Sequence, residues 1–335
     1  MPRIAYLVSG AREIDLLDGA AHPAGYWAEQ ALTPYDLFVA NGADVVVMTP
    51  DGSAPVIEPC SLEPCFHHPA EDRGYFASVC RTFHRHPDRI RVTLHHATEL
   101  DLVAARRIAR RLEVAGRSAE QAHELVSQAA KIAWRQDRRL VDVMLAGLDG
   151  GLTEASLRQA VEELAVVSAA EAADRKARLE DLDGFREPVA LAELTDAELG
   201  GFDAVFAPGG HGAMVDLPES PAVARLLRVL HRRGATIATL GQAAALLLAA
   251  PDGVDGRWLF EGFRLTCATN EEEDQSAFCL PWYVASALQN AGAVLDDADS
   301  AWASHVVVDR NLITGQNLYS TEATAGAVAK ALGLV

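Results

Sequence analysis

The sequence contains no apolar run long enough to cross a bilayer, and it is poor in basic residues. Its 335 residues include 29 Lys and Arg against 47 Asp and Glu, which gives a net charge of −18. A membrane-spanning helix needs about 20 consecutive apolar residues. Nucleic acids and anionic membranes are bound through basic surfaces. We therefore expect neither a membrane nor a nucleic acid as a partner.

Cysteine is also scarce. The chain has an odd number of cysteines at irregular spacing: Cys60, Cys65, Cys80, Cys267 and Cys279. This pattern does not fit a disulfide framework and is typical of a protein with reduced thiols. The first residues run directly into an apolar segment, Arg3 to Ser9, without the layout of a secretory signal. Together these features predict a cytoplasmic protein.

The distribution of charge indicates two separate units. Residues 66–185 hold 18 Lys and Arg against 19 Asp and Glu, whereas the rest of the chain holds 11 against 28. The near-neutral segment contains amphipathic stretches that predict three helices, beginning after Thr98, Ser118 and Thr153. Ser118 and Gln121 have the spacing of a capping box. Each helix needs a partner for its apolar face, so we expect an all-α subdomain here.

The stretch Phe202–Ala250 predicts a βαβ unit. Two short apolar runs, 204–207 and 236–240, have the length and composition of buried parallel strands. Between them Ser220-Pro221 begins a helix and Gly234 ends it. A right-handed crossover places both strand ends at one edge of the sheet. That carboxyl edge is where open α/β sheets bind ligands.

The first of these strands ends in Pro208-Gly209-Gly210-His211-Gly212, and this motif resembles the DJ-1/PfpI (ThiJ/PfpI) superfamily, in particular its Hsp31-like, glyoxalase III-like branch. The segments 270–273 and 306–317 resemble that branch as well. The similarity covers residues 3–63 and 186–333. It implies an α/β fold with a flavodoxin-like, doubly wound parallel sheet, related to the class I glutamine amidotransferases. We expect this core at 1–65 plus 186–335, with the helical insertion at 66–185.

The chain departs from the family pattern at the reactive residues. By resemblance, Gly241 occupies the position of the nucleophilic Cys, Gln242 that of its His, and Gln30 that of the active-site Glu. Thr33 replaces another family His. The family chemistry needs a thiolate at a strained strand-to-helix turn, and Gly241 has no side chain. We therefore predict that the covalent glyoxalase, deglycase or protease mechanism is lost.

A ligand pocket is expected to remain where the nucleophile was. Its candidate ligand-binding residues are Gly209, Gly210, Gly212, Gly241, Gln242, Gln30, Asp15 and Asp18. The glycines would offer backbone N–H groups to an anion or a carbonyl oxygen; alternatively, they only allow the turn to fit sterically. Glu29 and His211 are the candidate catalytic acid and base. The alternatives are a solvated Glu29 and a His211 that only supports its neighbours.

A His-rich stretch raises the question of metal binding. Its candidate ligands are His67, His68, His84 and His86. No recognised zinc spacing is present, so we expect no metal and no other cofactor, with a zinc site as the alternative.

Two functions remain open. The first is a cofactor-independent enzyme of the lyase, hydratase or isomerase type that acts non-covalently on a carbonyl-containing small molecule, as in specialised metabolism. The second is a non-catalytic pseudoenzyme, either a ligand binder or an Hsp31-like holdase chaperone. The resemblance also implies a homodimer.

Overall fold

A computed structural model describes residues 1–63, 66, 67, 72, 103–136, 138–147, 151–250, 257–275, 279–299 and 301–335. It divides the chain into two compact units. Unit 1 is formed by Met1–Ser61 with Arg175–Val335, and unit 2 by Leu62–Asp174. The boundaries that we predicted after residues 65 and 185 both lie further along the chain than those of the structure.

Unit 1 begins with β1 (Arg3–Leu7), β2 (Glu13–Asp15), β3 (Ala21–Pro23), α1 (Ala28–Ala40) and β4 (Asp44–Thr49), followed by a 3₁₀ helix at Pro59–Leu62. Strands β2 and β3 form a small antiparallel hairpin, with Ile14 opposite His22. The chain after β4 returns to the start of α1 through a bridge between Tyr26 and Ile57.

Unit 2 is helical, with α2 (Ala105–Val114), α3 (Ala119–Gln136), α4 (Leu140–Gly147) and the first part of α5 (Glu154–Asp181). The predicted capping box is confirmed, because Ser118 and Gln121 exchange hydrogen bonds between side chain and backbone. The predicted second helix is in fact α3 and α4, separated near residue 138. The buried residues of this unit include Ile108, Leu112, Val126, Leu140, Met144 and Leu157. Thr98 lies outside the described residues.

Unit 1 continues after α5 with α6 (Asp183–Arg186), β5 (Val189–Ala190), α7 (Asp196–Leu199), β6 (Ala204–Ala207), α8 (Ala213–Asp216), α9 (Pro221–Arg233) and β7 (Thr236–Leu240). A 3₁₀ helix at Gly241–Ala249 follows. The remaining elements are β8 (Arg264–Leu265), α10 (Asn270–Gln275), α11 (Val284–Ala291), β9 (Val294–Leu295), β10 (Val306–Asp309), β11 (Leu312–Gly315) and α12 (Thr321–Ala331).

Seven of these strands form one sheet in the order β10-β11-β7-β6-β1-β4-β5. All neighbouring pairs are parallel except β10 with β11. This is the predicted doubly wound α/β architecture, with β6 and β1 in its centre. Strand β6 is buried at every position, as expected for a parallel strand covered on both faces.

The predicted βαβ unit is confirmed in detail. Helix α9 begins at Ser220, whose side chain accepts a hydrogen bond from the Val223 amide, and ends at Gly234 with a φ of 68°. Its apolar residues Val223, Leu226, Leu227 and Leu230 are all buried. Each such side chain stabilises the fold by about 1.5–3 kcal/mol relative to exposure. None of the helices in the described ranges combines the length and the apolar composition that a bilayer crossing requires.

Candidate functional site

The βαβ unit brings the glycine-rich loop and Gly241 to one edge of the sheet. Strands β6 and β7 are parallel neighbours, with Ala207 opposite Thr239. The loop that begins at Pro208 leaves the end of β6, and Gly241 directly follows the end of β7. Gly241 is buried and has a φ of 51°. This left-handed conformation is unusual for any residue with a side chain.

The position of Gly241 has room for a side chain. A Cβ placed there would lie 3.8 Å from the Gln30 Oε1 and Gln316 carbonyl oxygens, and 3.9 Å from Gln30 Nε2. All three distances are ordinary contacts. The turn thus keeps a left-handed backbone and space for a Cβ atom in ordinary van der Waals contact, an atom that glycine does not supply. We call this space the Gly241 void.

Gln30 faces this void from helix α1. Its Oε1 accepts a hydrogen bond of 2.9 Å from the Gly209 amide. Because that contact assigns the oxygen of the side-chain amide, the other atom of the amide is the Nε2 donor, which lies 3.9 Å from the Cβ position of Gly241. The void is therefore bordered by an amide donor from Gln30 and a carbonyl acceptor from Gln316.

The structure supports the steric interpretation of the three loop glycines. A Cβ would lie 2.2 Å from Gln30 Oε1 at Gly209, 2.4 Å from the Gly25 oxygen at Gly210, and 2.8 Å from Ser9 Oγ at Gly212. The Gly209 amide donates to Gln30 and the Gly212 amide to the Gly25 oxygen. These two amides thus have partners within the protein, which corrects the expectation that they point at a ligand. The glycines are needed because neighbouring chain segments approach so closely.

His211 is buried between two carboxylates. Its Nδ1 lies 2.5 Å from Glu58 Oε1, its backbone amide donates to Glu58 Oε2 at 2.7 Å, and its Nε2 lies 3.6 Å from Glu273 Oε2. Burial by itself lowers the pKa of His211, but the charge of Glu58 and the contacts with Glu273 outweigh burial and raise that pKa to about 10. The imidazole is therefore protonated at neutral pH.

Glu58 is the matching half of this buried ion pair. Burial raises the pKa of Glu58, but the charge and hydrogen bonds of His211 more than offset it, so the pKa is lowered overall. Sequence reasoning missed Glu58 because nothing in its local pattern distinguishes it from a surface glutamate. A glutamate is rarely fully buried without a partner, and the partner here is 153 residues away.

Gln242 extends the network towards the Gly241 void. Its Nε2 donates to Glu273 Oε1 at 2.8 Å, and Glu273 in turn contacts His211. The adjacent Glu272 is also buried, and its Oε1 accepts from the Gln316 and Asn317 side chains. Two glutamates of the 270–273 segment thus fix the loops around the site. The sequence singled out this segment but assigned neither glutamate a role.

The other predicted site residues lie elsewhere. Glu29 is buried, but its Oε1 is 3.9 Å from the Arg175 guanidinium. Consecutive helical residues point about 100° apart, so Glu29 and Gln30 do not share a direction. Asp15 and Asp18 are exposed, and Asp18 accepts a turn hydrogen bond from the Ala20 amide.

A polar groove of about 320 Å³ also lies in unit 1 and shares Gln316 with the void. Its lining includes Thr269, Asn270, Ser286, Gln289 and Asp297. This volume is at the lower end of the range for small-molecule sites.

The described cysteines are not placed for nucleophilic chemistry at Gly241. Cys267 is buried, and burial together with the nearby carboxylates of Asp297 and Glu273 raises the pKa of its thiol well above the ordinary value. Cys279 is exposed.

Since the thiolate is the reactive form, we expect iodoacetamide to label Cys279 in the native protein and to reach Cys267 only after unfolding. Peptide mass spectrometry measures this directly, and rapid labelling of Cys267 in native protein would contradict it.

The four candidate histidine ligands lie only partly within the described residues. His68, His84 and His86 lie outside the described residues, and His67 is buried in unit 2. Within the described part of unit 1, a different group brings metal-binding atoms together. Donor atoms of His22, Glu58 and Cys60 all lie within 4.8 Å of one another.

Comparison with known proteins identifies the family. The DJ-1/PfpI family pattern matches residues 149–331, which is just over half of the chain. The chain belongs to the DJ-1/PfpI family. The match includes the loop at 208–212, the Gly241 turn and the 270–273 segment. These parts of the site therefore lie within the region that matches the family.

Relatives of this DJ-1/PfpI chain include two groups of named proteins. Glutamine amidotransferase-like class 1 domain-containing protein 1 of Bos taurus is 34% identical over 142 residues, which is 42% of this chain and 62% of that protein. Protein/nucleic acid deglycase HchA of Pseudomonas aeruginosa is 30% identical over 163 residues, which is 45% of this chain and 55% of that protein. The matches thus span less than two thirds of each relative.

Solved structures show the same fold. Glyoxalase III of Candida albicans superimposes with a TM-score of 0.55 at 15% identity, covering 99% of this chain and 97% of that one. The rapid encystment protein of 24 kDa from Francisella tularensis gives 0.58 at 15% identity, covering 99% of both chains. At such low identity, these similarities concern the fold alone.

Proposed function

We propose that this DJ-1/PfpI chain binds a carbonyl-containing small molecule non-covalently in the Gly241 void. The observation that carries the proposal is the space for a Cβ atom at Gly241, bordered by the Gln30 amide and the Gln316 carbonyl. A carbonyl oxygen of the ligand accepts from Gln30 Nε2, and an adjacent hydroxyl donates to the Gln316 oxygen. This pair of contacts suits an α-hydroxycarbonyl compound. The polar groove that shares Gln316 gives space for the remainder of a larger ligand.

The reaction we propose for this site is proton transfer next to the bound carbonyl, as in a lyase, hydratase or isomerase. It needs no covalent intermediate and therefore no residue like the missing Cys. Glu273 and His211 form a buried acid and base pair that contacts Gln242, the residue after Gly241, through Glu273. A proton held between these two groups is shielded from bulk water, which strengthens electrostatic effects on a reacting group.

The alternative is a ligand-binding pseudoenzyme. One observation favours it: the Glu58 and Glu273 carboxylates face the two ring nitrogens of His211. An imidazolium held in this way acts as a support for the loop rather than as a proton shuttle. The same void then binds its ligand without turnover.

Proton exchange in D₂O distinguishes the two functions. Hydroxyacetone is incubated with the protein, and ¹H NMR follows the loss of the C–H signals next to the carbonyl. We expect exchange above background in the wild type, with a loss of roughly 10²-fold in Glu273→Gln, the scale of one general acid–base group. Glu322→Gln, an exposed glutamate elsewhere in unit 1, serves as the matched control and should retain the wild-type rate.

The void itself is tested by Gly241→Leu. Filling the space should abolish both exchange and the saturation-transfer NMR signal of bound hydroxyacetone. Binding without exchange in the wild type would favour the pseudoenzyme. If the wild type shows neither binding nor exchange, the proposal of a carbonyl site is overturned.

A further inference from the structure

Three side chains with different donor atoms converge beside the His211 ion pair. An imidazole nitrogen of His22, a carboxylate oxygen of Glu58 and the Cys60 sulfur lie within 4.8 Å of one another. Glu58 is fully buried, whereas His22 and Cys60 are half-buried. The group therefore has one side chain in the protein interior and two side chains that solvent can reach.

The backbone fixes each of the three side chains. His22 lies on β3, which pairs with β2 in the hairpin. Glu58 follows the bridge between Tyr26 and Ile57, and its amide donates to the Tyr26 oxygen at 2.9 Å. Cys60 lies in the 3₁₀ helix immediately afterwards. Sites built on such constrained segments hold their geometry better than sites on free loops.

We propose that His22, Glu58 and Cys60 form a binding site for a divalent cation of the zinc type. Imidazole nitrogen, carboxylate oxygen and thiolate sulfur are the three donor types that zinc accepts from proteins. The carboxylate and the thiolate carry two negative charges that attract the cation, and the charge of Glu58 is shared with the His211 imidazolium. Neighbouring donors in a tetrahedral zinc site are about 3.3–3.7 Å apart, so closure requires movements of about 1 Å or less.

The existing hydrogen bonds indicate how the cation fits. The Cys60 thiol donates to Glu58 Oε1 at 3.3 Å. Zinc replaces that thiol proton, which is released to solvent as the sulfur binds the metal as a thiolate. The bond from the His211 amide to Glu58 Oε2 remains and orients the carboxylate, a common arrangement around metal ligands. Three protein ligands leave a fourth position for water or a small ligand.

The site formed by His22, Glu58 and Cys60 is separate from the His-rich stretch and from the Gly241 void. It includes none of the four histidines that the sequence suggested, and it uses no atom that borders the Gly241 void. A failure of the carbonyl proposal would therefore leave it unaffected. Its link to the rest of the protein is Glu58, which connects the metal position to His211.

Metal content is the direct test. Untagged protein is stripped with a chelator, incubated with Zn²⁺, desalted and analysed by plasma mass spectrometry. We expect the wild type to retain one zinc per chain that is lost in His22→Ala and in Cys60→Ser. His305→Ala and Cys279→Ser replace a half-buried histidine and an exposed cysteine elsewhere, and both should retain the metal. Glu58→Gln is avoided because it also disrupts the His211 pair.

Cobalt provides an independent readout of the sulfur ligand. Co²⁺ bound at this site should show a near-ultraviolet sulfur-to-cobalt charge-transfer band that is absent in Cys60→Ser and unchanged in Cys279→Ser. Zinc bound elsewhere in the chain adds to the stoichiometry but survives both ligand substitutions. A wild type without bound zinc, or the same content in the wild type and both ligand variants, would overturn the proposal.

Discussion

Replacing His211 with alanine is expected to lower the free energy of unfolding by about 3–5 kcal/mol, the usual cost of removing one partner from a buried ion pair. The side chains of His211 and Glu58 are only 4% and 0% exposed. His211→Ala therefore leaves the Glu58 carboxylate without its counter-charge in the protein interior. Urea unfolding at neutral pH in the presence of a chelator measures the loss without any contribution from bound metal.

Two further variants separate the charge effect from a general effect of losing a histidine. His305 is 29% exposed and lies 3.3 Å from Asp296, so His305→Ala should cost less than about 1 kcal/mol. The double variant Glu58→Gln/His211→Ala should be more stable than His211→Ala alone, because no buried charge is left unpaired. Equal losses in His211→Ala and His305→Ala would show that the buried pair contributes little.

Substitution of Gly210 by alanine is the second change with a large expected effect, about 3 kcal/mol or more. Gly210 has a φ of 122°, and backbone strain of this kind costs about 1–3 kcal/mol. The new Cβ would also lie 2.4 Å from the Gly25 oxygen and 2.8 Å from the Trp27 nitrogen. Both atoms belong to the backbone and cannot rotate away, so overpacking adds about 1–3 kcal/mol.

Gly326 is the matched control for this prediction. It lies in helix α12, and a Cβ there would meet nothing within 4 Å. Gly326→Ala should therefore raise stability by about 0.5–1 kcal/mol, the helix preference of alanine over glycine. Urea unfolding of both variants gives the comparison. If Gly210→Ala were as stable as the wild type, the close approach of Gly25 to the loop would have to be wrong.

Both predictions concern how the loop at 208–212 packs against its neighbours. The loop at 208–212 must lie against the Gly25–Trp27 segment without any side chain between them, and His211 must be held by Glu58 on the far side. Loss of either feature should therefore change the carbonyl site as well as stability.

Most of the α/β fold could be predicted from the sequence because its signals are local. The capping residues Ser118 and Ser220, the stop at Gly234 and the short buried runs of β6 and β7 each depend on neighbours a few residues away. The helical unit was less predictable. The apolar spacing continues from α3 into α4, on both sides of residue 138, so periodicity alone does not separate the two helices.

The residues of the candidate site also differ in how far the sequence predicts their roles. By resemblance, the sequence predicts that Gly241, Gln242 and Gln30 stand where the family has its reactive residues, and the residue at the turn is a glycine without a thiol. Only the tertiary structure decided that the loop glycines serve close packing and that Glu29 contacts Arg175. It also decided that His211 lies between Glu58 and Glu273. These contacts join residues far apart in the chain, and a buried charge depends on which partner the fold brings to it, which no local pattern specifies.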